Sequence, residues 1–159
     1  MFFALASLVS LTVLQAPPKG EPVFDLCKKL VGNWEGVLGN KMKLKFSFKL
    51  EHGGELVIGD GVVGEGTPHP MVTHATLGWD PVAKKVYYLD QHGTDTIYFG
   101  HVTREGNDLV FDFSALSGDT GHYKSRSHVE PDRYVDSMQA EKAGKWVDMG
   151  FHLELHRKA

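Results

Sequence analysis

The stretch "KMKLKFSFKLE", residues 41–51, decides the fold. Met42, Leu44, Phe46, Phe48 and Leu50 alternate with Lys41, Lys43, Lys45, Ser47 and Lys49. Successive side chains on a strand point to opposite faces, so this period of two predicts a half-buried strand with the apolar five inward and the lysines in water. A stripe of lysines on one strand face is explained by a solvated outer surface, and no ligand is assigned to it.

Outward from that stretch, similar segments recur at short intervals. They are separated by "HGG" (52–54), "GEGTPHP" (64–70), "DPVAKK" (80–85), "QHGT" (91–94), "REGND" (104–108), "SGDTG" (117–121), "EPD" (130–132) and "EKAGK" (141–145). Each carries turn chemistry: Gly for positive φ, Pro to fix φ, Asp and Asn to bond the backbone. Strands are predicted at 33–39, 41–51, 55–63, 71–79, 84–90, 94–103, 108–116, 121–130, 132–140 and 145–156. Ten strands with no room for crossover helices form an antiparallel meander, and an all-β up-and-down barrel removes both of its exposed edges. The rival is a two-sheet sandwich, which the uniformly short connections disfavour.

The chain has 159 residues, 42% hydrophobic and 23% charged, enough apolar material for a packed core. Its 18 glycines suit a fold rich in tight turns. A net charge of −3 lacks the basic footprint of a nucleic-acid or acidic-membrane binder. There is no internal repeat and no linker, so residues 17–159 are expected to form one domain.

The first sixteen residues, "MFFALASLVSLTVLQA", carry no charge and form an apolar run too short to span a bilayer. Residues 1–16 read as a signal peptide with Ala16 at the cleavage position, although the start lacks Lys and Arg and Pro17 follows the cut. The mature chain is then exported, periplasmic or extracellular, and holds no integral membrane segment. Cys27 is the single cysteine, so no intramolecular disulfide forms. In "PVFDLCKKLVG" Phe24, Cys27 and Val31 recur at helical spacing, which predicts a short helix burying the thiol.

After that helix comes "LVGNWEG" (30–36), with Trp34 between Gly32 and Gly36. A short capping helix followed by Gly-x-Trp on the first strand resembles the calycin superfamily of lipocalin-like barrels. In that architecture the tryptophan of the first strand packs across the closed end of the barrel, so the resemblance implies that Trp34 is a structural plug. "KKLVGNWEG", "LGWDPVAKKVYYLDQ" and the terminal "LELHRK" look like a widespread bacterial lipocalin-like family of unknown function, over residues 24 to 158. The Gly-x-Trp-x-Gly opening also resembles nitrobindin, a haem barrel, whose haem-binding residues find no residue-by-residue match here. Short turn-like motifs of this kind identify architecture rather than activity.

Nine histidines are the unusual feature of the composition. On the last strand His152 and Glu154 are spaced to share an ion, but with Asp148 and His156 they oppose Val147, Met149, Phe151, Leu153 and Leu155, so water is their expected environment. In "GHYKSRSHVE" the face His122, Lys124, Arg126 and His128 is either a carboxylate trap or, as the cost of burying cations favours, a solvated exterior with Tyr123 inward. His101 shares a face with Ile97 and Phe99 and is expected inside, as a satisfied core group, a ligand contact or, in a haem barrel, an axial ligand. No catalytic order of residues, phosphate loop or haem-attachment motif is present, and no catalytic or metal residue is assigned. The expected activity is binding of a small, mostly apolar molecule by Phe46, Phe48, His101, Phe111, Phe113, Tyr123, Met138 and Met149. A haem-binding barrel of nitrobindin type, for gas sensing or detoxification, and a packed barrel without ligand acting through its surface are the alternatives, distinguished by a Soret band and by cavity volume.

Overall fold

The computed structural model describes residues 15–39 and 42–158. A helix, α1 (Pro22–Cys27), runs into a single 3-10 turn (Lys28–Leu30). Ten strands follow: β1 (Gly32–Leu38), β2 (Met42–Glu51), β3 (Leu56–Val63), β4 (Met71–Asp80), β5 (Lys85–His92), β6 (Thr96–Glu105), β7 (Asp108–Ser117), β8 (His122–Val129), β9 (Arg133–Lys142) and β10 (Lys145–Lys158). Each pairs antiparallel with its neighbours in the chain, and β10 closes the barrel on β1. Closure excludes the sandwich, and every strand end lies within two residues of its expected position.

The decisive strand has the expected register. Lys43, Lys45 and Lys49 are exposed, Leu44 is buried, and Phe46 and Phe48 are half-buried because their rings look into an interior space. Met42 and Leu50 correct the expectation: they lie at the strand's two ends, 44% and 41% exposed, where neighbours no longer cover them. Lys41 falls outside the described residues.

The glycines around Trp34 are explained by close approach. Gly32 has φ +133°, and a Cβ there would collide with the Arg157 guanidinium. A Cβ at Gly36 would collide with the Glu154 carbonyl and come within 2.7 Å of Leu155 Cδ2. Trp34 between them is 1% exposed, with Nε1 donating to the Leu30 carbonyl at 2.6 Å. Arg157 stacks 4.2 Å from the centre of the indole and donates to the carbonyls of Pro131, Val31 and Lys29. One side chain thus ties β10, the 3-10 turn and the β8–β9 connection to the plug.

Above Trp34, the Glu21 carboxylate caps α1 by accepting from the Phe24 N–H at 2.6 Å. Phe24, Leu26, Cys27 and Leu30 are buried against the barrel end. Leu30, rather than the expected Val31, continues the apolar face, because the chain tightens into a 3-10 turn after Cys27. Burial, helped by the Glu21 charge, pushes the Cys27 thiol up to about 12.

Candidate ligand cavity

Inside the barrel, between the Leu30 end and the opposite rim, lies a cavity of about 400 Å³. Its walls are mainly aromatic. Phe46 and Phe48 stack at 6.3 Å, the Phe48 ring lying over Gly59 of β3 and the Phe46 ring over Gly61, where any Cβ would collide with them. Opposite, Tyr88 meets Phe111 and Phe113 edge-on at 5.0 and 5.4 Å, and Tyr98 meets Phe113 at 5.5 Å. Such edge-to-face pairs hold rings in fixed orientations and keep the cavity walls in shape.

Two buried carboxylates interrupt this apolar wall, Asp90 on β5 and Asp136 on β9. Asp136 Oδ1 accepts from Ser125 Oγ at 2.5 Å and Ser127 Oγ at 2.6 Å, and Ser127 in turn contacts the Tyr134 hydroxyl at 3.0 Å. Burial raises the Asp136 carboxyl to about 6, against the lowering effect of the serine hydroxyls and the Ser137 N–H. Asp90 Oδ2 accepts from the Tyr88 hydroxyl at 2.5 Å and lies 2.7 Å from His92 Nε2. Burial and these nearby carboxylates hold the Tyr88 and Tyr134 phenols well above their ordinary range, so both stay neutral donors.

Seven of the eight expected binding residues line this cavity: Phe46, Phe48, Phe111, Phe113, Tyr123, Met138 and Met149. His101 does not. The inner face of β6 is Tyr98, Gly100 and Val102, and His101 stands outside with Nε2 3.3 Å from Asp80 Oδ2 and its ring against Phe99. Phe113 takes the space that a side chain on Gly100 would need, which selects that face. The residues missed were Asp90, His92, Asp136, Ser125, Ser127 and Tyr88. Strand parity was a usable signal for them, since Asp136 shares a strand face with Met138 and the two serines share one with Tyr123.

The cationic face of β8 is exterior and laced with acids. His122 lies between Asp112 (2.6 Å) and Glu141 (2.7 Å), which raises its pKa. Arg126 pairs with Asp108 and Glu105, and Lys124 sits over the Trp146 ring. On β10, Glu154 pairs with Arg133, and among the described residues no group of three acids, histidines or cysteines is placed to hold a metal.

β10 also breaks the wall. Its pairing with β9 skips from Asp148 to Phe151, and its pairing with β1 stops at Gly36–Leu155. Beside this bulge a second recess is lined by Leu38, Gly39, Met138, Met149, Gly150, Phe151 and His152. Leu38, Met138, Met149 and Phe151 line both spaces, so the recess at the bulge lies against the cavity wall.

The residues present do not fit haem. The proposed axial ligand His101 points out of the barrel, and the one histidine on the cavity wall, His92, has its Nε2 engaged by Asp90. Propionates placed inside this wall would meet two carboxylates and, among the described residues lining it, no lysine or arginine.

No protein-family model matches the chain, and no curated protein matches it. Its fold is similar to that of a solved structure, the crystal structure of Rv2717c from M. tuberculosis, with a TM-score of 0.60 and 16% identity over 87% of this chain and 98% of that one. At that identity the likeness concerns the fold. Among the described residues no helix is long and apolar enough to cross a membrane.

Proposed function

We propose that this protein is a binding module of lipocalin-like type that takes a small, mostly apolar molecule into the barrel. The observation that carries this reading is the cavity of about 400 Å³ with aromatic walls, a size within the usual range of ligand pockets. A barrel acting only through its surface would fill that space with side chains. Ala75 projects into the cavity from β4, so Ala75→Phe should fill part of it while leaving the barrel closed. Native mass spectrometry of protein from its own host is expected to show a retained molecule that the Ala75→Phe variant loses; equal retention by both would refute the assignment.

Export belongs to the same proposal. The expected signal peptide, residues 1–16, lies outside the described residues except for Gln15 and Ala16, which are exposed and in no regular element. A lone thiol in an oxidising compartment must be sheltered, and Cys27 is fully buried with its pKa pushed to about 12. N-terminal sequencing of the native protein is expected to begin near Pro17, and Cys27 to react with thiol reagents only after unfolding. A retained Met1 would overturn export, and rapid labelling would overturn the helix packing.

A further inference from the structure

We propose that this cavity selects ligands carrying a protonated amine on an apolar body, with the amine held by Asp90. The inference rests on the binding reading above and specifies its ligand class. The Asp90 side chain is 9% exposed and lines the cavity, yet its Oδ1 has no hydrogen-bond partner among the described residues. Buried carboxylate oxygens are almost always paired, so an unpartnered one on a residue that lines the cavity, closed off as it stands, marks an acceptor that a ligand donor satisfies once the carboxylate turns toward the space. On β4 the residue opposite is Ala75, whose small side chain leaves room beside the carboxylate.

The charge of the wall sets the sign of that donor. Asp136 stands four strands round the barrel from Asp90, and at the rim Asp119 accepts from the Tyr123 hydroxyl and, at 3.4 Å, the Tyr98 hydroxyl. No lysine or arginine among the described residues lines the cavity to balance them, and His92 is the one basic group, already in contact with Asp90 Oδ2. In a low-dielectric enclosure these carboxylates attract a cation and repel an anion more strongly than they would in water. An ammonium donates a charge-assisted bond to Oδ1, a hydroxyl donates a weaker one, and a ligand carboxylate offers nothing there at neutral pH. The arrangement is the reverse of a fatty-acid trap, which needs an inward cation.

Three compounds with one apolar body test this: phenylbutylamine, phenylbutanol and phenylbutyrate, titrated calorimetrically into the full chain at neutral pH, with Nile red as a neutral probe of entry. The amine is expected to bind at least about tenfold more tightly than the alcohol, and the acid most weakly. Asp90→Asn keeps an oxygen for the Tyr88 hydroxyl and should bring the amine to within about threefold of the alcohol. Equal binding of amine and alcohol by the unaltered protein, or a preference undiminished in Asp90→Asn, would overturn the inference. If Nile red still enters in that case, the binding reading stands alone; if neither Nile red nor any of the three binds, both fall. The head-group comparison on the unaltered protein does not depend on the variant folding.

Discussion

Trp34→Ala is expected to cost about 3–5 kcal/mol, the range for removing a large buried aromatic side chain and a large share of the roughly 5–15 kcal/mol that holds a domain folded. The loss is not confined to one ring. The indole fills the plugged end under α1, holds the Leu30 carbonyl through Nε1, and forms the surface on which Arg157 stacks. Without it the Arg157 guanidinium loses its platform while still tied to the carbonyls of Val31 and Lys29, and the apolar residues Phe24, Leu26 and Leu30 border a void. Trp34→Phe should recover much of the packing but not the bond to Leu30, and so fall between. Chemical denaturation of the three proteins checks this, and an Ala variant within about 1 kcal/mol of the parent would show that the indole is not the plug.

The second large effect is a gain. Burial lifts the Asp136 carboxyl to about 6 in the folded protein, above the ~3.9 of an exposed aspartate. The folded chain therefore binds this proton more tightly than the unfolded chain. Below about pH 4 the group is protonated in both states and costs nothing; as pH rises through about 6 the folded state comes to carry a buried charge, at a cost of roughly 3 kcal/mol. Asp136→Asn keeps an Oδ1 for Ser125 and Ser127 and removes that charge. It is expected to raise the unfolding free energy by about 2–3 kcal/mol at neutral pH, less what the charge-assisted serine bonds had offset, with the gain shrinking towards zero near pH 4. Denaturation curves of both proteins across that range measure the difference. A difference independent of pH would show that Asp136 does not titrate as a buried acid. Such a gain also implies that the carboxylate is kept at a cost to stability, which is common where a group serves binding.

Much of this architecture was legible in the chain because a barrel strand obeys a local rule. Alternation in "KMKLKFSFKLE" needs no knowledge of neighbours, and Gly, Pro and Asp mark turns through their own backbone preferences. Ten such strands without helical crossovers leave closure as the way to hide two edges, and the chain closes. The same rule placed seven binding candidates on the cavity wall, and applied to "VYYLDQH" and "RYVDSMQA" it would have set Asp90 and Asp136 there too. Those acids escaped notice because polarity suggests an outer face, and parity overrides polarity only once the partner strands are known.

The tertiary structure decided where alternation is ambiguous or broken. On β6 both faces carry aromatic side chains, and the choice went to Tyr98, Gly100 and Val102 because Phe113 occupies the space over Gly100, a contact between strands that leaves His101 outside. The extra residues at the β10 bulge are invisible to a period-two reading, since an insertion of two keeps the parity of Met149 and Phe151 while parting the wall beside them. The unpartnered oxygen of Asp90 is likewise a property of closure: Tyr88 and His92 flank it on its own strand, but which lone pair stays free depends on what the facing walls leave empty. By itself the sequence determined the strands, their number and most of their inward faces, because these follow from periodicity and turn chemistry along the chain. The cavity, the recess beside it and the carboxylates inside it were decided by the packing of strands far apart in sequence, because empty space and unpaired atoms exist only between groups that folding brings together.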